Sequence, residues 1–262
     1  MVTYEDVRND SAVSTYIRRA DETLGALGFT EHSFAHVTAV AEKAARILTA
    51  LGYPERTVEL ARIAGYLHDI GNLVNRVDHS QSGAVMAFRI LDRMGVEAEE
   101  IATVISAIGN HDEGTGVPVN PVAAALILAD KSDVRRSRVR NRDLASFDIH
   151  DRVNYSVESS RLDIDPEGGL VELVLKVDTQ YGSVMDYFEI FLGRMLLCRK
   201  AAEKLGEVPH HIEGERTSGW VLLDYSTVII HLFLPEQREF YDLERMWLDA
   251  DQVDITPFLE EA

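Results

Sequence analysis

Five polar residues stand where an apolar helix face should continue, each in a different stretch of the chain. His36 lies one turn before Val40, on a stripe that runs on through Ala44 and Ile47. His68 follows Leu60, Ala61 and Ala64 at helical spacing, and His79 precedes Gly83, Met86 and Ile90 in the same way. His111 follows Val104 and Ile108, and Asp130 follows Ala123, Leu126 and Ile127. Asp69 adjoins His68 where Gly71 marks a helix end. Each of the five is expected to point inward from its own helix. A buried carboxylate costs several kcal/mol unless it is paired or binds a metal. Four imidazoles and two carboxylates converging on one core are explained by a centre of one or two divalent ions. Mixed nitrogen and oxygen donors suit Mn, Fe, Co, Ni or Zn better than Mg or Ca. Taken singly, a histidine on an apolar face is usually a hydrogen-bonded core residue, and Asp130 could pair with a neighbouring helix. Both readings stay open at the level of sequence.

The helical pattern fills the first 140 or so residues. One face of HSFAHVTAVAEKAARILTALG carries Val37, Val40, Ala41, Ala44, Ile47, Leu48 and Leu51, and Gly52 and Pro54 then break the chain. Further helices are expected through ERTVELARIAGYLHDIG, from near His79, from near Glu97 and over PVAAALILADKSD. The pattern changes near residue 150. VNYSVESSRLDID and LVELVLKVD read as two strands around PEGG, and SVMDYFEIFLGRMLLCRKAAEKLG as a long helix ending at Gly206. WVLLDYS and TVIIHLFLP read as a hairpin, and PEQREFYDLERMW as a last short helix with Pro235 at its start. The expected fold is α + α/β. An all-α domain spans residues 1–145, and a small α/β domain with a mixed or antiparallel sheet spans residues 146–262.

Composition narrows the partners. A formal net charge of −18 disfavours extended nucleic-acid binding through phosphate contacts. A local basic pocket remains conceivable around Arg135, Arg136, Arg138, Arg140 and Arg142. No apolar run reaches the length of about 18 residues needed to span a membrane. The one cysteine, Cys198, forms no intrachain disulfide and fits a reducing, cytoplasmic setting. The oligomeric state is open, a homo-oligomer included.

The order His36, then LHDIG with His68 and Asp69, then Asp130 in LADKSD resembles the HD-domain metal-dependent phosphohydrolase superfamily over residues 30–142. That resemblance implies His36, His68, Asp69 and Asp130 as ligands of a first metal. His79 and His111 fall where some members place ligands of a second. NHDEGTGVPVN lacks the double His and the Gly-Tyr-Pro of the HD-GYP phosphodiesterases. Many HD enzymes carry a lysine directly after the HDIG stretch, where this chain has Asn72. ADKSDVRRSRVRN, IHDRVNYSV and YFEIFLGRM resemble a bacterial HD subfamily with an appended β-containing tail. His150 reads as structural or surface.

A second resemblance lies in GWVLLDYSTVIIHLFLPEQREFYDLERMW, which is similar to the end of the ribosomal silencing factor (Iojap/RsfS) family over residues 211–253. Members of that family bind a protein of the large ribosomal subunit and block subunit joining. The family's first half is matched only through DYFEIFLG at residues 186–193.

The expected function is metal-dependent hydrolysis of a phosphate ester or anhydride in a nucleotide or other small phosphorylated substrate. Asp69 and Lys131 are the expected catalytic residues, and Arg135, Arg136, Arg138 and His32 are expected to contact substrate. The alternative is a ribosome-associated regulator, whose C-terminal segment binds the large subunit while the HD domain senses a ligand or serves as a scaffold.

Overall fold

The computed structural model describes residues 1–166, 170–182 and 184–206, and the short strands 212–213, 220–224 and 229–233. Met1–Glu207 and Val208–Ala262 form two compact units. The first unit opens with α1 (Tyr4–Arg8), α2 (Ser11–Ala26), α3 (Phe34–Ala50), α4 (Glu55–Leu67), α5 (His79–Arg93), α6 (Ala98–Gly109) and α7 (Pro121–Lys131). α3 to α7 match the five helices expected from periodicity, and α1 and α2 precede them in a stretch read only as generally helical. These helices are followed by α8 (Ile149–Ser156), the antiparallel pair β1 (Val157–Asp165) and β2 (Leu170–Val177), and α9 (Val184–Lys204).

The centre of the first unit is α7. Every residue from Val122 to Ala129 is buried, so this helix is apolar on all sides and is surrounded by others. Pro121 takes the first helical position, and the Asn120 side chain accepts the amide of Ala123. α3, α4, α6 and α9 all pack on it. Small residues bring the helices close: a Cβ on Gly65 of α4 would come within 2.7 Å of the Ala41 backbone in α3. Gly71, in the short turn after α4, lies against α5 so closely that a Cβ there would collide with the His79 carbonyl and the Gly83 amide nitrogen. The chain enters α5 through Asp78 in the left-handed region (φ 55°), which sets His79 at the helix start.

The tail departs from the sequence reading in two respects. VNYS, expected to begin a strand, forms the end of α8, which is started by the Asp148 carboxylate accepting the Asp151 amide at 2.7 Å. The first unit also runs past the expected boundary at residue 145. Leu162 of β1 and Leu197, Ala201 and Leu205 at and after the end of α9 are buried in the same core as α3, α4 and α7. A satellite core of Val134, Val153, Val157, Tyr187 and Phe191 joins α8 to the middle of α9. Cys198 is half-buried beside the main core.

In the second unit β3 (Ile212–Glu213), β4 (Trp220–Asp224) and β5 (Ile229–Phe233) form an antiparallel sheet in that order. β4 and β5 are the expected hairpin. The helix expected from Pro235 lies outside the described residues. Among the described residues the strands of the tail thus form two antiparallel sheets. No helix among the described residues is long and apolar enough to cross a membrane.

Candidate functional site

The six metal-type residues meet at one place, delivered mainly by helix ends. His36 sits in the first turn of α3, and Asp130 in the last turn of α7. His68 and Asp69 follow the end of α4, His79 opens α5, and His111 follows α6. His36, His68, His79 and His111 are all buried, and so is Asp69. Three of the histidines share one local device. The Nδ1–H of His68 donates to the Gly65 carbonyl at 2.8 Å, that of His79 to the Arg76 carbonyl at 3.1 Å, and that of His111 to the Ile108 carbonyl at 2.6 Å. Each acceptor lies three residues earlier; Gly65 and Ile108 are in the last turns of α4 and α6, where carbonyls lack helical partners. His36 uses a carboxylate instead, with Nδ1 at 2.8 Å from Asp133 Oδ2. In every case Nδ1 is engaged, which leaves Nε2 as the ring nitrogen open to the centre.

The inward atoms crowd one another. Asp69 Oδ2 lies 3.1 Å from His68 Nε2 and 3.4 Å from His36 Nε2, and Asp130 Oδ1 lies 3.4 Å from His36 Nε2. The other Asp69 oxygen, Oδ1, lies 3.6 Å from His79 Nε2 and accepts the Asn72 side-chain amide at 2.9 Å. His36 Nε2, His68 Nε2 and Asp69 Oδ2 are buried without a hydrogen-bond partner. Two overlapping groups, His36–His68–Asp130 and His68–Asp69–His111, each have ligand atoms within 4.8 Å of one another, close enough to share a metal ion. Buried donors that nothing else satisfies, with imidazoles already oriented from behind, fit a divalent ion.

Electrostatics follow from this crowding. Burial opposes a charge on His68, but the Asp69 and Asp130 carboxylates outweigh it and raise its pKa to about 10. Burial also resists ionisation of Asp69, yet the neighbouring imidazoles hold it well below the usual carboxylate range. Desolvation dominates at His111, which falls to about 3, and it lowers His32 and His79 too.

A cavity of about 240 Å³ opens over the cluster. Asp69, His79, His111 and Asp130 form its floor. His32 reaches it with Nε2 at 4.0 Å from Asp69 Oδ2, its Nδ1 held by the Thr30 carbonyl. Lys131 lines it with Nζ at 2.7 Å from Asp130 Oδ2, the oxygen turned away from the histidines. Arg138 lines it too, donating to the carbonyls of Glu31 and Asp133. Arg135 and Arg136 do not line it. Arg135 pairs with Asp133 and Glu31, and Arg136 donates to the Tyr155 carbonyl and Asp178 while stacking between Tyr155 and Tyr181. Both side chains are thus engaged with the loop before α8 and away from this cavity, where the expectation put them in contact with substrate.

Sequence reasoning missed other parts of the wall. Arg76 comes from the turn after the His-Asp pair, and Asp148, His150, Asp151 and Asn154 come from the start of α8. His150, read as a surface residue, is exposed but borders the cavity. Phe191 and Arg194 come from α9, and Arg194 Nε donates to Glu113 at 2.7 Å. Their signal in the sequence was weak, because each lies far along the chain from the His and Asp pattern.

The HD domain family matches residues 33–151. The family described as ribosomal silencing factor during starvation matches residues 197–262. The ribosomal silencing factor of Zymomonas mobilis is 41% identical over 80 residues, which are 28% of this chain and 60% of that protein. That of Bacillus subtilis is 35% identical over 80 residues, again 28% of this chain but 68% of that protein. This chain belongs to the ribosomal silencing factor family and carries an HD domain. It spans about two thirds or less of the length of these two relatives. A crystal structure described as a predicted HD superfamily hydrolase, from an uncultured Thermotogales bacterium, is 27% identical, covering 47% of this chain and 67% of that one at a TM-score of 0.38. The cluster and the cavity floor all fall within the HD domain match. Phe191 and Arg194 lie beyond it, just before the silencing-factor match begins.

Proposed function

We propose that the HD domain is a metal-dependent phosphohydrolase acting on a small phosphorylated substrate. The observation that carries this reading is the set of orphaned inward atoms, His36 Nε2, His68 Nε2 and Asp69 Oδ2, with Nδ1 of both histidines already bonded from behind. His36, His68, Asp69 and Asp130 would hold a first ion, and His79 and His111 a second across Asp69. A bound divalent ion supplies Lewis acidity, lowering the pKa of a water and polarising a phosphoryl oxygen. Asp69 suits a position between two ions, because Oδ2 faces His36 and His68 while Oδ1 faces His79. Lys131 neutralises the outer oxygen of Asp130 and holds that side chain's orientation. His32, kept neutral chiefly by burial, presents Nε2 to the cavity as an acceptor for a water or hydroxyl proton.

Metal content of the full chain, purified without chelators and without oxygen, tests the reading together with turnover of a panel of phosphate compounds. One or two transition-metal ions per chain and hydrolysis support it. No ion even after adding Mn or Fe, and no turnover, overturn it. Asp133 orients His36 from behind, so Asp133→Asn is expected to weaken metal affinity by about 10–100-fold. Competition with a chromophoric chelator measures this, and an unchanged affinity would remove Asp133 from the site.

The silencing-factor match favours a second activity in the same chain: association of the C-terminal segment with the large ribosomal subunit. Co-sedimentation of the full chain with isolated large subunits tests it. Recovery in the supernatant alone would rule it out.

A further inference from the structure

The cations that sequence analysis assigned to catalysis or substrate contact are already engaged. Lys131 bonds Asp130, Arg138 bonds two carbonyls, and Arg135 and Arg136 stand outside the cavity. Arg194 pairs with Glu113. Arg76 differs from all of them. It lines the cavity, half-buried, and among the described residues it makes no ion pair. Its Nη1 donates to the neutral Asn72 Oδ1 at 3.2 Å and lies 3.4 Å from His79 Nε2, and its guanidinium lies 5.8 Å from the Phe29 ring centroid. Asn72 is anchored in turn to Asp69, so the guanidinium is aimed at the metal cluster through one amide. In a chain of net charge −18, an arginine that faces a cavity without a carboxylate partner is short of an anion.

The cavity itself limits that anion. Among the described residues its lining holds four cationic side chains against six carboxylates. This excess of two negative charges is cancelled by one divalent ion and reversed by two. The reversed charge matches a phosphomonoester, which carries about −1.5 to −2 at pH 7. It does not match a triphosphate chain. A volume of about 240 Å³ is small for a ligand site, since such sites span roughly 300–1,000 Å³. Away from the cluster the lining includes the apolar rings of Phe29 and Phe191 and the carboxylate acceptors of Asp148 and Asp151. Those acceptors suit hydroxyl or amine donors on the organic part.

Resting on the hydrolase reading above, we infer that Arg76 is the phosphate-binding residue of this cavity and that the substrate is a small phosphomonoester of a hydroxyl-rich alcohol, no larger than a nucleoside monophosphate. Water adds to phosphorus, the ester P–O bond breaks, the alcohol leaves with a proton from that water, and orthophosphate is the second product. Arg76 holds the non-bridging oxygens throughout. It takes the place of the lysine that the resemblance leads one to expect at Asn72, one turn further along the chain.

Titration calorimetry of the Mn-loaded full chain with inorganic phosphate tests the anion site without any turnover. Arg76→Ala is expected to weaken phosphate binding by about 10–100-fold, the worth of a charge-assisted hydrogen-bonded contact, with metal content per chain unchanged. Arg76→Lys is expected to recover part of the loss, since the charge returns without the planar fork. Equal phosphate affinity in wild type and Arg76→Ala would overturn the assignment. In turnover assays, a nucleoside monophosphate and glycerol phosphate are expected to be cleaved in preference to the nucleoside triphosphate. For Arg76→Ala, KM is expected to rise more than kcat falls. Preference for the triphosphate would overturn the substrate class. Phosphate binding that depends on Arg76 in a chain that hydrolyses nothing would uphold the anion site and sink the hydrolase reading alone.

Discussion

Asp69→Ala is expected to abolish both metal retention and hydrolysis while leaving helix content close to that of the wild type. Asp69 contributes nothing to the apolar core; α3, α4 and α7 are held together by Val40, Ala41, Ala64, Leu67 and the buried length of α7. What the carboxylate does is local. Its Oδ2 is the orphaned oxygen between His36 and His68, and its Oδ1 faces Nε2 of His79. Removing both oxygens takes away the carboxylate that reaches both His68 and His79. The loss should exceed the roughly 10–100-fold attached to outer partners of metal ligands. Metal analysis after gel filtration, circular dichroism and turnover with added Mn check the three parts separately. Hydrolysis at the wild-type rate would show the proposed site to be misplaced.

Gly71→Ala is expected to cost about 3 kcal/mol of stability, or roughly 10 °C in Tm for a unit of this size. The reason is a backbone contact. A Cβ on Gly71 would meet the His79 carbonyl and the Gly83 amide, neither of which can turn aside as a side chain can. α5 would have to retreat from the turn after α4, carrying His79 away from Asp69. Differential scanning calorimetry checks the first consequence and metal content per chain the second. A Tm within a degree of wild type would mean that α5 is not seated as described.

The two substitutions separate what was legible in the sequence from what was not. Convergence of His36, His68, His79, His111 and Asp130 could be read because each interrupts an apolar stripe of known period. The carbonyls that lock the imidazoles could not, since periodicity says nothing of where a helix leaves its last acceptors. Gly71 was visible only as a helix end; its contact with α5 depends on tertiary packing. Arg76 went unnoticed because it lies in the turn between two motifs. The cluster RRSRVRN drew attention by its charge alone, and only Arg138 of the arginines weighed for substrate contact there lines the cavity. VNYS in α8 was misread for a related reason: Val153 and Tyr155 favour strands, while the side chain that starts the helix is Asp148, five residues before Val153. The boundary near 145 followed a real change of local pattern, but patterns do not report that Leu197 and Ala201 return to the first core.

α9 answers to two constraints at once. Phe191 and Arg194 in its middle face the cavity, whereas Leu197, Ala201 and Leu205 already lie within the silencing-factor match and yet are buried in the helical core. The silencing-factor match therefore begins inside a continuous helix rather than at a tether. An expression fragment cut at residue 196 would leave an apolar trough along α7, and its complement would expose the leucines that filled it. Substitutions in the stretch 197–205 are likewise answerable twice, to the packing of the helical core and to the silencing-factor match that begins there.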